Sequence, residues 1–296
     1  MRSIQSVPGH DEPQVVERDR PVPGPGQVLV ETVAAAVNPV DAFVASSLGT
    51  DLVAGGRQVG LGWDVSGRVA EVGPDVTAYA VGDPVAGLDD DMVGADRALA
   101  EYVLLDAEAV AVVPEGLDLV EAASIPLNSV TAHQALALLG EPDGRSLLVT
   151  GAGGAVGGYA VALARAAGWD VTGLGRPGDE EFVRSTGAGF TAHVEPASYD
   201  AVLDGAVLQA GALAYVKDGG TFVGVQPSQP VPTERGITVT AVQVRRDGAL
   251  LADLLRRSAD GELAVRVAGT APLHEAATVF AKVGGGGQRG RWLLVP

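Results

Sequence analysis

Residues 149–168 read VTGAGGAVGGYAVALARAAG, with glycine at 151, 153, 154, 157 and 158 where the remaining composition is that of a helix. Each glycine in a helix interior costs roughly 1 kcal/mol relative to alanine, so something must stand close enough to this backbone to exclude side chains. Upstream, Ser146-Leu147-Leu148-Val149-Thr150 is a short apolar run with the character of a buried strand. Downstream, Tyr159 to Ala167 is alanine-rich and helical, Gly168 is a stop signal, and Trp169 to Leu174 reads as a second strand. Strand, glycine turn, helix and strand make a βαβ unit. Its helix would aim unpaired N–H groups and a positive dipole end at the turn, the arrangement that binds a pyrophosphate.

The fit to the dinucleotide fingerprint is partial. Gly151 and Gly153 open a G-x-G, but the sixth position is Val156; what fits is a three-residue rhythm of Gly151, Gly154 and Gly157. The alternative is a glycine-rich turn with no ligand. Cofactor choice is read at the end of the second strand, where an NAD-specific site places Asp or Glu against the ribose hydroxyls. Here the residues are Gly173-Leu174-Gly175-Arg176. A guanidinium at that point pairs with a 2′-phosphate, so NADPH is the expected cofactor; the alternative for Arg176 is an ordinary surface arginine. The candidate cofactor-binding set is Gly151, Gly154, Ala155, Val156, Gly157, Gly175 and Arg176, with Val225 at the end of a later strand.

The chain of 296 residues is long enough for two domains, and a hydrophobic content of 47% with only 4% aromatics implies cores built from Val, Leu and Ala. A net charge of −17 argues against nucleic acid and against an anionic membrane surface as partner. Asp89-Asp90-Asp91 could hold a cation, but a solvated acidic loop is the simpler reading. With no cysteine there is no disulfide, thiol nucleophile or cysteine-ligated zinc. No apolar targeting core and no membrane-length run is seen, so a cytoplasmic protein is expected.

Up to about residue 120 the sequence is β-rich, with strands expected near 27–33, 65–72, 81–86 and 100–105 and a loop over 46–62. A helix is expected from Leu119 and another through 130–136. From 146 onward strands and helices alternate as a parallel sheet requires: strands at 146–150, 169–174, 190–194, 200–204, 220–225 and 237–244. A helix at 247–258, a strand near 263–268, a helix at 272–282 and a strand at 291–295 complete the pattern.

With these elements placed, the chain resembles the medium-chain dehydrogenase/reductase superfamily, most of all its zinc-free quinone oxidoreductase and enoyl reductase branch. The resemblance rests on Val37-Asn38-Pro39-Val40-Asp41, on Gly60 to Val69 (GLGWDVSGRV), on Val81-Gly82-Asp83-Pro84-Val85, on Pro126 to Ala132 (PLNSVTA), on the GAGGAVG turn and on Arg289 to Val295. It implies an α/β protein made of a Rossmann dinucleotide-binding domain and a GroES-like β-barrel catalytic domain. The expected division is 1–120 for the GroES-like domain, 121–260 for the Rossmann domain and 261–296 for a return to the catalytic domain. Zinc-dependent relatives carry Gly-His-Glu where this chain has Gly62-Trp63-Asp64, so no metal site is expected. Relatives also place a helix between the third and fourth Rossmann strands. Here about seven residues, His193 to Tyr199, separate them and reach at most ~23 Å when extended, so that helix is expected to be missing.

Asn38 is the first candidate for orienting the nicotinamide or the substrate carbonyl, with a turn-capping amide as the alternative. Asp41 is expected to cap the following short helix. The resemblance also puts Asn128 beside the nicotinamide, as an orienting or cofactor-binding residue, and Thr131 with it; both could instead be helix caps. His133 and Tyr102 are read as surface or packing residues. Where relatives often carry a tyrosine and an arginine after Asp41, this chain has Phe43 and Ala45, and the proton donor is not identified. The expected activity is NADPH-dependent, metal-free reduction of an activated C=C bond in a small enone or enoyl substrate, possible classes including a polyketide-type intermediate. A quinone oxidoreductase and a catalytically silent NADP(H)-binding protein are the alternatives. Residues 237–244, an uncharged β-branched edge, are expected to pair with a second copy in a homodimer.

Overall fold

A computed structural model describes residues 1–296. The chain forms two compact units. The first comprises residues 1–127, 245–261 and 265–296, and the second residues 128–244 and 262–264. The chain therefore leaves the first unit at Leu127 rather than near 120, and residues 245–261, expected in the Rossmann part, belong to the first unit.

In the first unit the strands are β1 (Arg2–Ser6), β2 (Gln14–Glu17), β3 (Gln27–Val37), β4 (Val59–Gly60), β5 (Asp64–Val72), β6 (Pro84–Leu88), β7 (Tyr102–Asp106) and β8 (Val110–Val112). Helices α1 (Pro39–Ala45) and α2 (Ser47–Ala54) follow β3, and α3 (Leu119–Ala122) precedes the helix α4 (Pro126–Ala137), whose first residues lie in this unit. The second unit holds β9 (Ser146–Thr150), α5 (Ala155–Ala166), β10 (Asp170–Leu174), α6 (Glu180–Ser185), β11 (Gly189–Thr191), β12 (Tyr199–Asp204), α7 (Ala210–Leu213), β13 (Val216–Gly224) and β14 (Thr238–Ala241). The chain then returns to the first unit as α8 (Gly248–Ala259), β15 (Val267–Pro272), α9 (Ala276–Gly284) and β16 (Arg291–Val295).

The first unit is organised on β3, which is long because it serves two neighbours. It pairs antiparallel with β5 along its length, with β7 at its start and with β16 at its end. The larger sheet runs β15-β16-β3-β5-β6-β8, so the last strands of the chain close onto the first part of it. Ile4, Val37, Val44, Leu61, Leu99, Val279, Phe280 and Leu294 form one of its cores. Helix α8 buries Leu251 and Leu255 against Ala86, Ala111 and Ile125, which is why it belongs here and not with the parallel sheet.

Residues 46–62, expected as a loop, contain α2. The Ser46 hydroxyl accepts from the Gly49 amide and Gly55 ends the helix in the left-handed conformation, at φ +60°. Periodicity did not reveal it because the buried face is Gly49, Thr50 and Ala54, while Leu48 and Leu52 point to solvent.

The second unit is a six-stranded sheet, parallel throughout, in the order β11-β10-β9-β12-β13-β14. No helix lies between β11 and β12. Crossing from β11 to β12 spans three inter-strand steps, about 14 Å, within reach of an extended link. Val194, in that link, inserts into the apolar cluster of Leu148, Val202, Leu213, Val216 and Phe222, so the short crossover helps to cover the sheet face. The edge strand β14 is shorter than the expected 237–244. Its partner β13 ends at Gly224, opposite Ala241, and beyond that there is no ladder to continue. No helix of the chain is long and apolar enough to cross a membrane.

Candidate functional site

The GlyGly-rich turn explains itself first through the protein's own atoms. Gly151 adopts φ +63°, and the Gly154 amide donates to its carbonyl at 2.8 Å. A Cβ on Gly157 would sit 2.1 Å from the Gly151 carbonyl oxygen, so the first turn of α5 is pressed onto the backbone that leads into it. A Cβ on Gly153 would sit 2.2 Å from Cγ of Asp179. Gly173 is excluded in the same way by Ala152 and Val183. The close neighbours required by the glycines are thus backbone, small side chains and one buried carboxylate. The same packing leaves Ala155, Val156 and Gly157 as the first residues of α5, whose amides have no acceptor within the helix.

Parallel pairing sets Thr150 opposite Leu174, so the glycine turn after β9 and Gly175-Arg176 after β10 leave the sheet at the same edge. Arg176 is exposed, and its amide donates to Asp179 Oδ2 at 3.0 Å. Asp179 itself is buried. It is the acidic residue that sequence reading missed near the second strand, because it lies past a Pro-Gly turn instead of at the strand end. At the start of the next connection, Asp204 is fully buried: Oδ1 accepts the Thr150 hydroxyl at 2.6 Å and Oδ2 the Gln209 amide at 2.7 Å. This ties the ends of β9 and β12 together. Val225, half-buried, follows β13 on the same sheet. Asn128 and Thr131 are buried on α4, and His133 on the same helix is exposed.

The first unit contributes a separate cluster. Asn38 caps α1 with Pro39 in the first helical position. Its backbone amide donates to Asp41 Oδ2 at 2.9 Å, and Asp41 Oδ1 accepts the Gly62 amide at 2.9 Å. Asn38 Nδ2 donates to Asp64 Oδ2 at 2.7 Å, while Asp64 Oδ1 accepts the Leu127 amide at 2.5 Å. Asn38, Asp41 and Asp64 are all essentially inaccessible to solvent. Burial pushes the Asp41 carboxyl up to about 6, against the pull of Arg97 and its two backbone hydrogen bonds. It pushes Asp64 up to about 7, with the Leu127 and Asn38 hydrogen bonds opposing and the neighbouring Asp41 adding to the rise. Asp41 therefore does cap its helix, and it also fixes the Gly62 loop.

Trp63, which precedes Asp64, is buried, its ring 4.9 Å from the Arg97 guanidinium. Arg97 is held in turn by Asp89, through Nε to Oδ2 at 3.3 Å and Nη2 to the main-chain oxygen at 3.0 Å. The acidic stretch 89–91 is thus not simply solvated. Asp90 also meets Arg246, which pairs with Asp106 at 2.7 Å. The chain has no cysteine, and no three His, Asp or Glu side chains gather to hold a metal. A zinc ion does not fit the donors present.

Comparison with known proteins agrees with this architecture. Residues 24–115 match the alcohol dehydrogenase GroES-like domain and residues 177–294 the zinc-binding dehydrogenase model. The chain is 31% identical to a mycocerosic acid synthase-like polyketide synthase of Mycolicibacterium smegmatis, over 99% of the chain and 15% of that protein. It is 32% identical to 2-methylene-furan-3-one reductase of Solanum lycopersicum, over 67% of the chain and 54% of that protein. Among solved structures, the quinone oxidoreductase of Coxiella burnetii superposes with a TM-score of 0.87 at 23% identity, covering 100% of this chain and 99% of that one. The chain belongs to the medium-chain dehydrogenase/reductase superfamily. It spans about half or less of the length of the curated relatives named here. As a superfamily member it has the two expected parts, a GroES-like unit and a Rossmann-like unit with a nicotinamide-dinucleotide-binding fold, the latter without the helix between β11 and β12.

Proposed function

We propose that this chain is an NADPH-dependent, metal-free reductase of an activated carbon–carbon double bond, acting in the cytoplasm on a small enone or enoyl substrate such as a polyketide-type intermediate. The observation that carries the reading is a buried amide, Asn38, fixed through both its backbone and its side chain in a chain that has a dinucleotide turn and no metal donor set. The relatives named as a furanone reductase and a polyketide synthase support this substrate class. The bound dinucleotide supplies the hydride, and the protein supplies orientation and polarisation. The Gly151–Gly157 turn and the first amides of α5 suit a pyrophosphate, and exposed Arg176 suits a 2′-phosphate. Asn38 and Asn128 orient the reacting groups, with Thr131 and Val225 completing the cofactor set. Reduction of an enone also needs a proton at the carbon α to the carbonyl, from a side chain or from water.

Phe43 is exposed and Ala45 is buried, and neither can give that proton. This favours quinones as the second reading, since a hydroquinone oxygen takes its proton from solvent. A panel of enones and quinones, assayed with NADPH and NADH in parallel, tests both. Dinucleotide binding with no turnover on any member would leave a silent binding protein and end the enzymatic reading. Arg176→Ala is expected to raise the Michaelis constant for NADPH about ten-fold and leave NADH nearly unchanged, because a charge-assisted contact is worth roughly 1.5–3 kcal/mol. Equal weakening of both cofactors would remove Arg176 from the 2′-phosphate site.

The homodimer belongs to the same proposal. β14 lies at the edge of the parallel sheet with only β13 beside it, and its sequence, Thr-Val-Thr-Ala, contains neither proline nor charge to discourage pairing. Pairing with its two-fold mate would join the two sheets. Thr240→Pro removes one ladder donor and is expected to yield monomer or aggregate in light scattering, where the unaltered chain gives a dimer at micromolar concentration.

A further inference from the structure

The carboxyl ends of the parallel strands lie in one row. Register sets Leu174, Thr150, Asp204, Gly224 and Ala241 opposite one another in turn. The loops after β10, β9, β12 and β13 therefore leave along a single edge. The strand order reverses between β9 and β12, and a dinucleotide lies across a sheet of this kind at such a point. With a pyrophosphate on the glycine turn after β9 and a 2′-phosphate at Arg176 after β10, the nicotinamide half falls over β12 and β13. That placement rests on the cofactor reading proposed above.

The turn after β12 is strained and firmly held. Val207, a β-branched residue, adopts φ +56°, and Gln209 adopts φ +56° with ψ −121°. Residues with a Cβ keep such conformations only where their surroundings over-determine them. Asp204 supplies the constraint. Its Oδ2 accepts the Gln209 amide at 2.7 Å and its Oδ1 the Thr150 hydroxyl at 2.6 Å, while Thr150 Oγ1 accepts the Ala206 amide at 3.1 Å. Ala206 packs on the glycine turn, where a Cβ added to Gly151 would meet its Cβ at 3.1 Å. The strain is thus held at the edge where the two halves of the sheet meet.

Hydrogen bonding also fixes which way round two side-chain amides stand. The Gln229 main-chain oxygen can only accept, so the atom 3.1 Å from it is Gln209 Nε2. The same nitrogen lies 3.3 Å from the Gln226 amide, which must then present Oε1 to it. Gln209 Oε1 and Gln226 Nε2 are left without a partner in the chain, on side chains that are half-buried. One is an acceptor and the other a donor, the complement of a primary carboxamide. We propose that Gln209 and Gln226 bind the carboxamide of the nicotinamide: Gln209 Oε1 accepts from its NH2 group, and Gln226 Nε2 donates to its carbonyl oxygen.

The two contacts make different demands, and the acetylpyridine analogue of NADPH separates them, since it keeps the carbonyl oxygen and lacks the NH2 group. Kd is measured by calorimetry for both dinucleotides with the unaltered protein, Gln209→Gly and Gln226→Ala. Glycine suits the backbone at 209, so the first variant keeps its fold while losing the acceptor. The unaltered protein is expected to favour NADPH over the analogue by roughly 3- to 10-fold, the worth of one hydrogen bond. Gln209→Gly is expected to lose that preference. Gln226→Ala is expected to weaken both dinucleotides by a similar factor and to keep the preference, a split that a merely structural pair would not produce. A Gln209→Gly protein that still favours NADPH, or an unaltered protein with no preference, overturns the Gln209 contact and leaves dinucleotide binding standing. Unchanged affinities in Gln226→Ala overturn the Gln226 contact. An unaltered protein that binds neither dinucleotide overturns this proposal together with the cofactor reading.

Discussion

Gly157→Ala is expected to lower Tm by about 6 °C or more and to abolish dinucleotide binding. The added Cβ would lie 2.1 Å from the Gly151 carbonyl oxygen, 2.7 Å from its carbonyl carbon and 3.0 Å from Ala152 Cα. These are backbone atoms, so no side chain can swing aside. The Gly151 oxygen is also the acceptor for the Gly154 amide, and Gly151 already sits at φ +63°. Relief requires α5 to move off β9, which opens packing around Ala160, Val161 and Ala164, all buried. Overpacking of this kind costs about 3 kcal/mol or more, and ~2–4 °C of Tm accompanies each kcal/mol in a chain of this size class. Gly211→Ala is the control: its Cβ would meet only Leu208 Cβ at 3.9 Å, and it should be neutral or slightly stabilising. A Gly157→Ala protein with the affinity and Tm of the parent would show that the close approach is not rigid.

The opening stretch made the second unit legible because each signal there agreed with its neighbours. Ser146–Thr150 is apolar on both faces, as a central parallel strand must be, and Gly168 and the next strand fixed the unit. The missing helix was legible from the spacing of 193–199 once the resemblance had said where relatives place one. What escaped reading is the set of buried carboxylates. Asp64 sits two residues after Gly62 in a strand, and nothing in its neighbours shows that both its oxygens are taken by Asn38, 26 residues earlier, and by Leu127, 63 residues later. Asp179 and Asp204 are hidden in the same way, since a carboxylate in a loop or at a strand end reads as solvated until its donors are known. Helix α2 was lost for another reason: it buries a small-residue face, and small residues carry little periodicity. The boundary near Leu127 falls inside α4, where no change of composition marks it.

The same buried pair predicts how stability should respond to pH. Both Asp41 and Asp64 are raised from an ordinary 3.8, to about 6 and about 7, so the folded chain holds protons between pH 4 and 7 that the unfolded chain has released. For a raised carboxyl the stabilising contribution is complete below the unfolded value and is lost as pH rises through the folded one. Lowering the pH from 8 to 6 should therefore stabilise the fold, by about 1–2 kcal/mol from the pair together, with the larger share from Asp64. Asp200 acts in the opposite sense. The Lys217 ammonium and Ser146 hold it well below the usual carboxylate range, so its contribution fades only in acid, outside this window. Self-repulsion of a chain with net charge −17 also eases slightly on acidification, so the decisive quantity is a difference between two proteins. Asp64→Asn keeps the shape of the side chain and removes its proton. The gain between pH 8 and pH 6, read as a shift in the urea midpoint, should then shrink by more than half. A variant that keeps the full pH response would place the titrating group elsewhere, and Asp64 would have to be ionised, or protonated, across the whole range.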